Sequence, residues 1–138
     1  MKKLFALSLS LLMMVSCSSA QKEIQVGALS FDEYLPLLEG KRVSILSNQT
    51  GMVSSTTHLL DTLLDMGVNV VSIMSPEHGF RGVADAGEHV SSSIDPDTGI
   101  PIRSLYESGV NRPSDESMAE FDVMVFDLQD VGVRFYTY

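Results

Sequence analysis

Basic residues are scarce in this chain, with 9 Lys and Arg against 18 Asp and Glu and a formal charge of −9 over 138 residues. So acidic a surface argues against a nucleic-acid partner and against electrostatic adhesion to anionic lipid. Cysteine is nearly absent: Cys17 stands alone, so no intrachain disulfide is available and the core must hold the fold. The first strand-to-helix turn, Asn48-Gln49-Thr50-Gly51-Met52-Val53-Ser54, lacks G-x-G-x-x-G, which removes the glycine fingerprint of a dinucleotide site. H-E-x-x-H and Cys-based ligand spacings are missing too, which weighs against a catalytic metal despite the Glu77-His78 and Glu88-His89 pairs. Neither a metal nor an organic cofactor is therefore expected. Internal repeats are absent.

The one extended apolar run is Leu4 to Val15, preceded by Met1-Lys2-Lys3 and followed by small residues. It is too short to span a bilayer as a mature helix and has the layout of an export signal covering residues 1–20. Cys17 sits at its end in Met14-Val15-Ser16-Cys17-Ser18-Ser19, which looks like a bacterial lipobox with Cys17 as the lipidated residue. Ser18-Ser19-Ala20 also satisfies the small-x-small rule for ordinary cleavage, so both processing routes stay open. Either one places the domain outside the cytoplasm, as a periplasmic protein or an outer-membrane lipoprotein whose membrane contact is the lipid.

Residues 21–30 read as a tether and 31–138 as an α/β domain. Ser30 offers an N-cap, with Glu33 at capping-box spacing, for a short helix that Pro36 limits and Gly40 ends. Lys41 to Asn48 reads as a strand, and Thr56 to Met66 puts Leu59, Leu60, Leu63, Leu64 and Met66 on one helical face before Gly67. Val68 to Met74, nearly all apolar, suits a strand covered on both faces. Strand, helix and strand at this spacing make a βαβ unit with parallel strands. Residues 79–100 read as a long Gly-, Ser- and Asp-rich loop with a turn at Asp95-Pro96-Asp97-Thr98-Gly99. Ile100 to Tyr106 follows as a short strand that its proline makes irregular or places at an edge. Phe121 to Leu128 is a further strand. The expected fold is a Rossmann-like, open, mainly parallel sheet with helices on both faces. No supporting element follows the last strand, so the chain is expected to be the N-terminal piece of a longer protein.

In such sheets ligands bind beyond the carboxyl ends of the strands. Three polar strand ends would converge there: Asn48 to Gly51, Ser75 to Gly79, and Asp127 to Asp130. The densest stretch is Ser75-Pro76-Glu77-His78-Gly79-Phe80-Arg81-Gly82, continuing to Glu88-His89. A carboxyl edged by Pro76, Phe80 and an apolar strand end would be partly desolvated, with its pKa raised towards that of a general acid. Glu77, closest to the strand, is the candidate, with His78 or Glu88 as its partner. Arg81 would bind a substrate carboxylate or pair with an acid. Asn48 would bind ligand or merely build its turn. Alternation turns Asp127 and Gln129 to the same face, with Asp130, Arg134 and Tyr136 just beyond the sheet. Pairing of Asp127 or Asp130 with Arg134 competes there with a binding role.

Taken together, Ser75 to Gly82, Ala86-Gly87-Glu88, Asp95 to Pro101, Ser104-Leu105-Tyr106 and Phe126 to Tyr138 resemble the NamZ-type exo-β-N-acetylmuramidases, glycoside hydrolase family 171, over about residues 35–138. The resemblance implies a Rossmann-like N-terminal domain without a nucleotide, a second domain that closes the cleft, and release of N-acetylmuramic acid from the non-reducing ends of peptidoglycan fragments. By position it implies Glu77 as the catalytic acid, with His78, Arg81, Glu88, Asp130, Arg134 and Tyr136 in the cleft. It also implies that these 138 residues alone would lack activity. The rival expectations are a non-catalytic lipoprotein that binds sugar or muropeptide, and a metal-dependent hydrolase.

Overall fold

A computed structural model of the chain describes residues 24–76, 79–82, 91–105 and 112–129. Within them five strands form one sheet: β1 (Val43–Ser47), β2 (Val70–Ser75), β3 (Ser93–Ile94), β4 (Pro101–Ser104) and β5 (Val123–Asp127). Their order is β3-β4-β2-β1-β5. β1 pairs in parallel with both β2 and β5, and β4 pairs in parallel with β2; β3 alone runs antiparallel, against β4. This is the mainly parallel α/β sheet that the apolar strand pattern predicts.

Helix α1 spans Phe31–Leu38, α2 spans Leu59–Asp65 and α3 spans Asp115–Met118. Leu59, Leu60 and Leu63 of α2 lie fully buried against Val43, Ile45, Val70 and Ile73 of the central strands. Each such side chain contributes roughly 1.5–3 kcal/mol on transfer from water. Leu38 brings the end of α1 into the same core. On the opposite face of β1 and β2, the buried Ser44 and Ser72 satisfy each other, their hydroxyls 3.0 Å apart.

Four details depart from the sequence expectation. Ser30, expected as the N-cap of α1, makes no side-chain capping hydrogen bond, since its backbone (φ −80°, ψ 52°) is not extended. Helix α2 starts at Leu59 rather than Thr56, since His58 has extended backbone and caps it, and Met52 and His58 form an antiparallel bridge ahead of it. The stretch expected as one long loop contains β3, whose two residues cover the outer side of β4. Thus β4 is an inner strand despite Pro101, flanked by β2 and β3. At the other end of the sheet, Arg42 clasps Asp122 through Nη2 at 2.8 Å and its backbone N–H at 2.9 Å, tying the start of β1 to the start of β5. This clasp holds the Asp122 carboxyl at about 2.

Candidate active site

Because β1, β2 and β5 run parallel, with Leu46 opposite both Met74 and Phe126, their polar ends emerge along one edge. The segment after β1 is built by Asn48. Its buried Oδ1 accepts hydrogen bonds from the Thr50 N–H at 2.9 Å and the Thr50 hydroxyl at 2.7 Å, closing an Asx turn. Its carbonyl accepts from Gly51 N–H and from His58 Nε2 at 2.9 Å. His58 Nδ1 in turn accepts the Leu60 N–H at 3.1 Å, capping α2. With one ring nitrogen accepting and the other donating, this geometry selects the tautomer with its proton on Nε2. The ring also meets Phe80 edge-on at 4.7 Å.

The segment after β2 is anchored on both sides of Glu77 and His78. Ser75, Pro76 and Gly79 are buried, and Phe80 fills the core at 2 % exposure. Gly82 lies against the turn after β1: a Cβ on it would meet Gln49 Cγ at 2.8 Å, and its φ of +69° favours glycine in any case. The two strand-end segments therefore touch. Arg81 turns away to Asp95, bonding Oδ1 through Nε at 3.0 Å and Oδ2 through Nη2 at 2.9 Å. Asp95 is fully buried and also accepts the Thr98 N–H at 3.2 Å and the Thr98 hydroxyl at 2.7 Å. Arg81 foremost, then Thr98, holds its carboxyl below the usual carboxylate value against the opposing effect of burial. Of the two roles expected for Arg81, the structure displays the acid pair.

Asp127 ends β5 directly opposite Ser47. It follows Val123 and Val125 on the face that packs on the core, beside an open recess of about 320 Å³ that Tyr34, Leu37 and Leu59 also line. Among the described residues its carboxylate has neither a hydrogen-bond nor an ion-pair partner. Burial pushes its pKa up, and the neighbouring His58 partly opposes this. Asp127 also contributes, after burial, to raising the pKa of the Tyr34 phenol, whose hydroxyl is donated to the Ala28 carbonyl at 2.7 Å. Gly51 is buried and packs closely against the Asp127 carboxylate. A Cβ there would lie 2.8 Å from Asp127 Oδ2 and 3.0 Å from His58 Nε2, and would collide with Ser47 Oγ.

Of the residues expected to act, Asn48 and Arg81 are thus placed, one as a buried turn builder and the other in an ion pair. Glu77, His78, Glu88, Asp130, Arg134, Tyr136 and Cys17 lie outside the described residues. Asp127 was expected only as a paired or binding residue; the signal for more was its place at the end of an alternating strand. No group of three or more His, Cys, Asp or Glu side chains is placed to hold a metal among the described residues. The arrangement presents a strand-end carboxyl beside an open recess lined by α1 and β5.

Residues 43–138 match the family described as Exo-beta-N-acetylmuramidase NamZ, N-terminal. The chain belongs to this family. A curated relative, the peptidoglycan beta-N-acetylmuramidase NamZ of Bacillus subtilis (strain 168), is 40% identical over 107 residues, which cover 77% of this chain and 26% of the relative. Two DUF1343 family proteins of Bacteroides fragilis NCTC 9343, known from crystal structures, are also similar. One is 47% identical with a TM-score of 0.67, over 84% of this chain and 28% of that one. The other is 37% identical with a TM-score of 0.64, over 78% of this chain and 26% of that one. The chain thus spans about a quarter of the length of each of these three proteins.

Proposed function

We propose that the full-length protein is an exo-acting glycoside hydrolase that releases N-acetylmuramic acid from the non-reducing ends of peptidoglycan fragments. The observation that carries this reading is the family match, which runs through the whole strand edge from β1 to β5 and the Ser75 to Gly82 segment. In this reading Glu77 protonates the glycosidic oxygen as an oxocarbenium-like transition state forms. The assignment of this role to Glu77 is supported by the family match across Ser75 to Gly82. His78, Glu88, Asp130, Arg134 and Tyr136 belong to the surrounding cleft, which a second domain closes, while Arg81 braces the segment through Asp95. Residues 1–20 direct export, and Cys17 is the point of lipid attachment to the membrane.

A chromogenic N-acetylmuramic acid glycoside tests the assignment. The wild-type full-length protein should release the chromophore, and Glu77→Gln should lower turnover by about 100-fold or more, as loss of a general acid does. Unchanged release by the variant would remove Glu77 from the role. No release by the wild type would favour a protein that binds sugar or muropeptide without cleaving it, and loss of release with a chelator would favour a metal-dependent hydrolase.

A further inference from the structure

We propose that Asp95 is a positioning residue of the active site: acting through Arg81, it fixes the segment after β2 in place without touching substrate itself. The inference rests on the glycosidase reading, which puts the site at this strand edge, and adds to it the residue that holds the edge in register.

Asp95 is built into a firmly held part of the sheet. Its N–H donates to the Ile100 carbonyl at 2.9 Å and its carbonyl accepts the Gly99 N–H at 2.8 Å, closing the turn between β3 and β4. β4 in turn pairs with β2 over Ile102 to Ser104, so the turn cannot shift without disturbing the sheet. The carboxyl at its corner is fully buried, out of reach of a ligand. Thr98 orients it through Oδ2, and both oxygens then meet Nε and Nη2 of Arg81. A two-point contact of this kind sets the direction of the guanidinium as well as its distance. Asp61 and Asp97 also approach Arg81, but at 3.6 Å and from positions open to water, where an ion pair contributes little. The hydrogen bonds between Arg81 and Asp95, the largest cause in each case, lower the pKa of the acid and raise that of the base, so the clasp stays closed through the neutral range.

Arg81 passes this constraint along the chain. Before it comes Phe80, whose ring lies 5.0 Å from the guanidinium and fills the core against His58. After it comes Gly82, packed on Gln49 of the turn after β1. Gly79 to Gly82 are thus held between the β3–β4 turn on one side and the β1 turn on the other, as the place of β2 between β4 and β1 requires. Releasing the Asp95 end would let the segment slide along the edge. A misplacement of about 1 Å in a reacting geometry is enough to lower turnover by about 100-fold.

The test uses the full-length protein and the chromogenic N-acetylmuramic acid glycoside, at a temperature where circular dichroism shows each variant folded. In Asp95→Asn an NH2 replaces one acceptor and faces donors of Arg81 or Thr98. This variant should lower kcat by about 10- to 100-fold with KM within about twofold of the wild type. Arg81→Lys, which keeps the charge and loses the fork, should lower kcat in the same way, and Asp61→Asn should leave it within about twofold. Should Asp95→Asn not fold, Thr98→Val, which removes one of the bonds orienting the carboxyl, carries the same split with a loss of about 3- to 10-fold. A folded Asp95→Asn with kcat within about twofold of the wild type overturns the proposal and leaves Asp95 a purely structural carboxylate. Raised KM with unchanged kcat overturns it too, by making Arg81 a substrate ligand. So does an Asp61→Asn loss as large as that of Asp95→Asn, which would trace the effect to charge around Arg81 rather than to the buried fork. A wild type that releases nothing overturns the glycosidase reading itself, and this role with it.

Discussion

Asp95 and Asp127 sit at opposite edges of the same sheet, one just after β3 and the other at the end of β5. Asp95 is fully buried, whereas Asp127 is only partly so, and their partners differ too. Asp95 is fully buried and receives four hydrogen bonds, two from Arg81 and two from Thr98, and its pKa is lowered. Asp127 receives none among the described residues, and its pKa is raised. A buried charge that is fully satisfied fixes the chain around it; a partly buried one held by no partner among the described residues does not. The first arrangement pins the loop after β2 to the turn after β3. The second leaves a reactive group at the mouth of a recess.

The strongest way to break this comparison is to remove the partner of Asp95. Arg81→Ala should destabilise the protein by about 3 kcal/mol or more in urea unfolding, because it strands a buried carboxylate. The pair's contribution should be complete above the ordinary carboxylate pKa and be lost as pH falls through the depressed folded value. Unaltered stability with lost turnover would instead make Arg81 a substrate ligand. Next in size is His58→Ala, which removes the cap of α2 and the ring against Phe80; a loss of about 1–2 kcal/mol is expected by the same measurement. The smallest effect belongs to Arg42→Ala. Its exposed ion pair with Asp122 should leave the unfolding midpoint close to that of the wild type, and added salt should erase what difference there is.

The βαβ frame was legible because its signals are local. Leu59, Leu60 and Leu63 repeat at helical spacing, and Val70 to Met74 is apolar apart from Ser72; both form the elements those patterns specify. The start of α2 was misplaced by three residues because His58 reaches back to the Asn48 carbonyl, a contact that helical spacing does not encode. Asp95 looked like a turn former, which it is. Its burial depends on Arg81, fourteen residues earlier, and no local pattern specifies that meeting. β3 escaped notice because two residues paired only to β4 carry no periodicity. For Asp127 the sequence located the strand end and the face. Its nearness to Gly51, Ser47 and His58 arises only once β5 docks beside β1.

Thermal unfolding of Asp127→Asn beside the wild type tests the contrast most directly. Since the folded pKa of Asp127 is raised, its favourable contribution is complete below the ordinary carboxylate value and is lost as pH rises through the folded value. At pH 7 the carboxylate therefore costs stability that an amide of the same shape does not. The account predicts that Asp127→Asn unfolds at or above the wild-type midpoint at pH 7, with the gap closing towards acid pH. A variant that unfolds several degrees earlier at pH 7 would contradict it and place Asp127 with Asp95 among the residues that hold the fold.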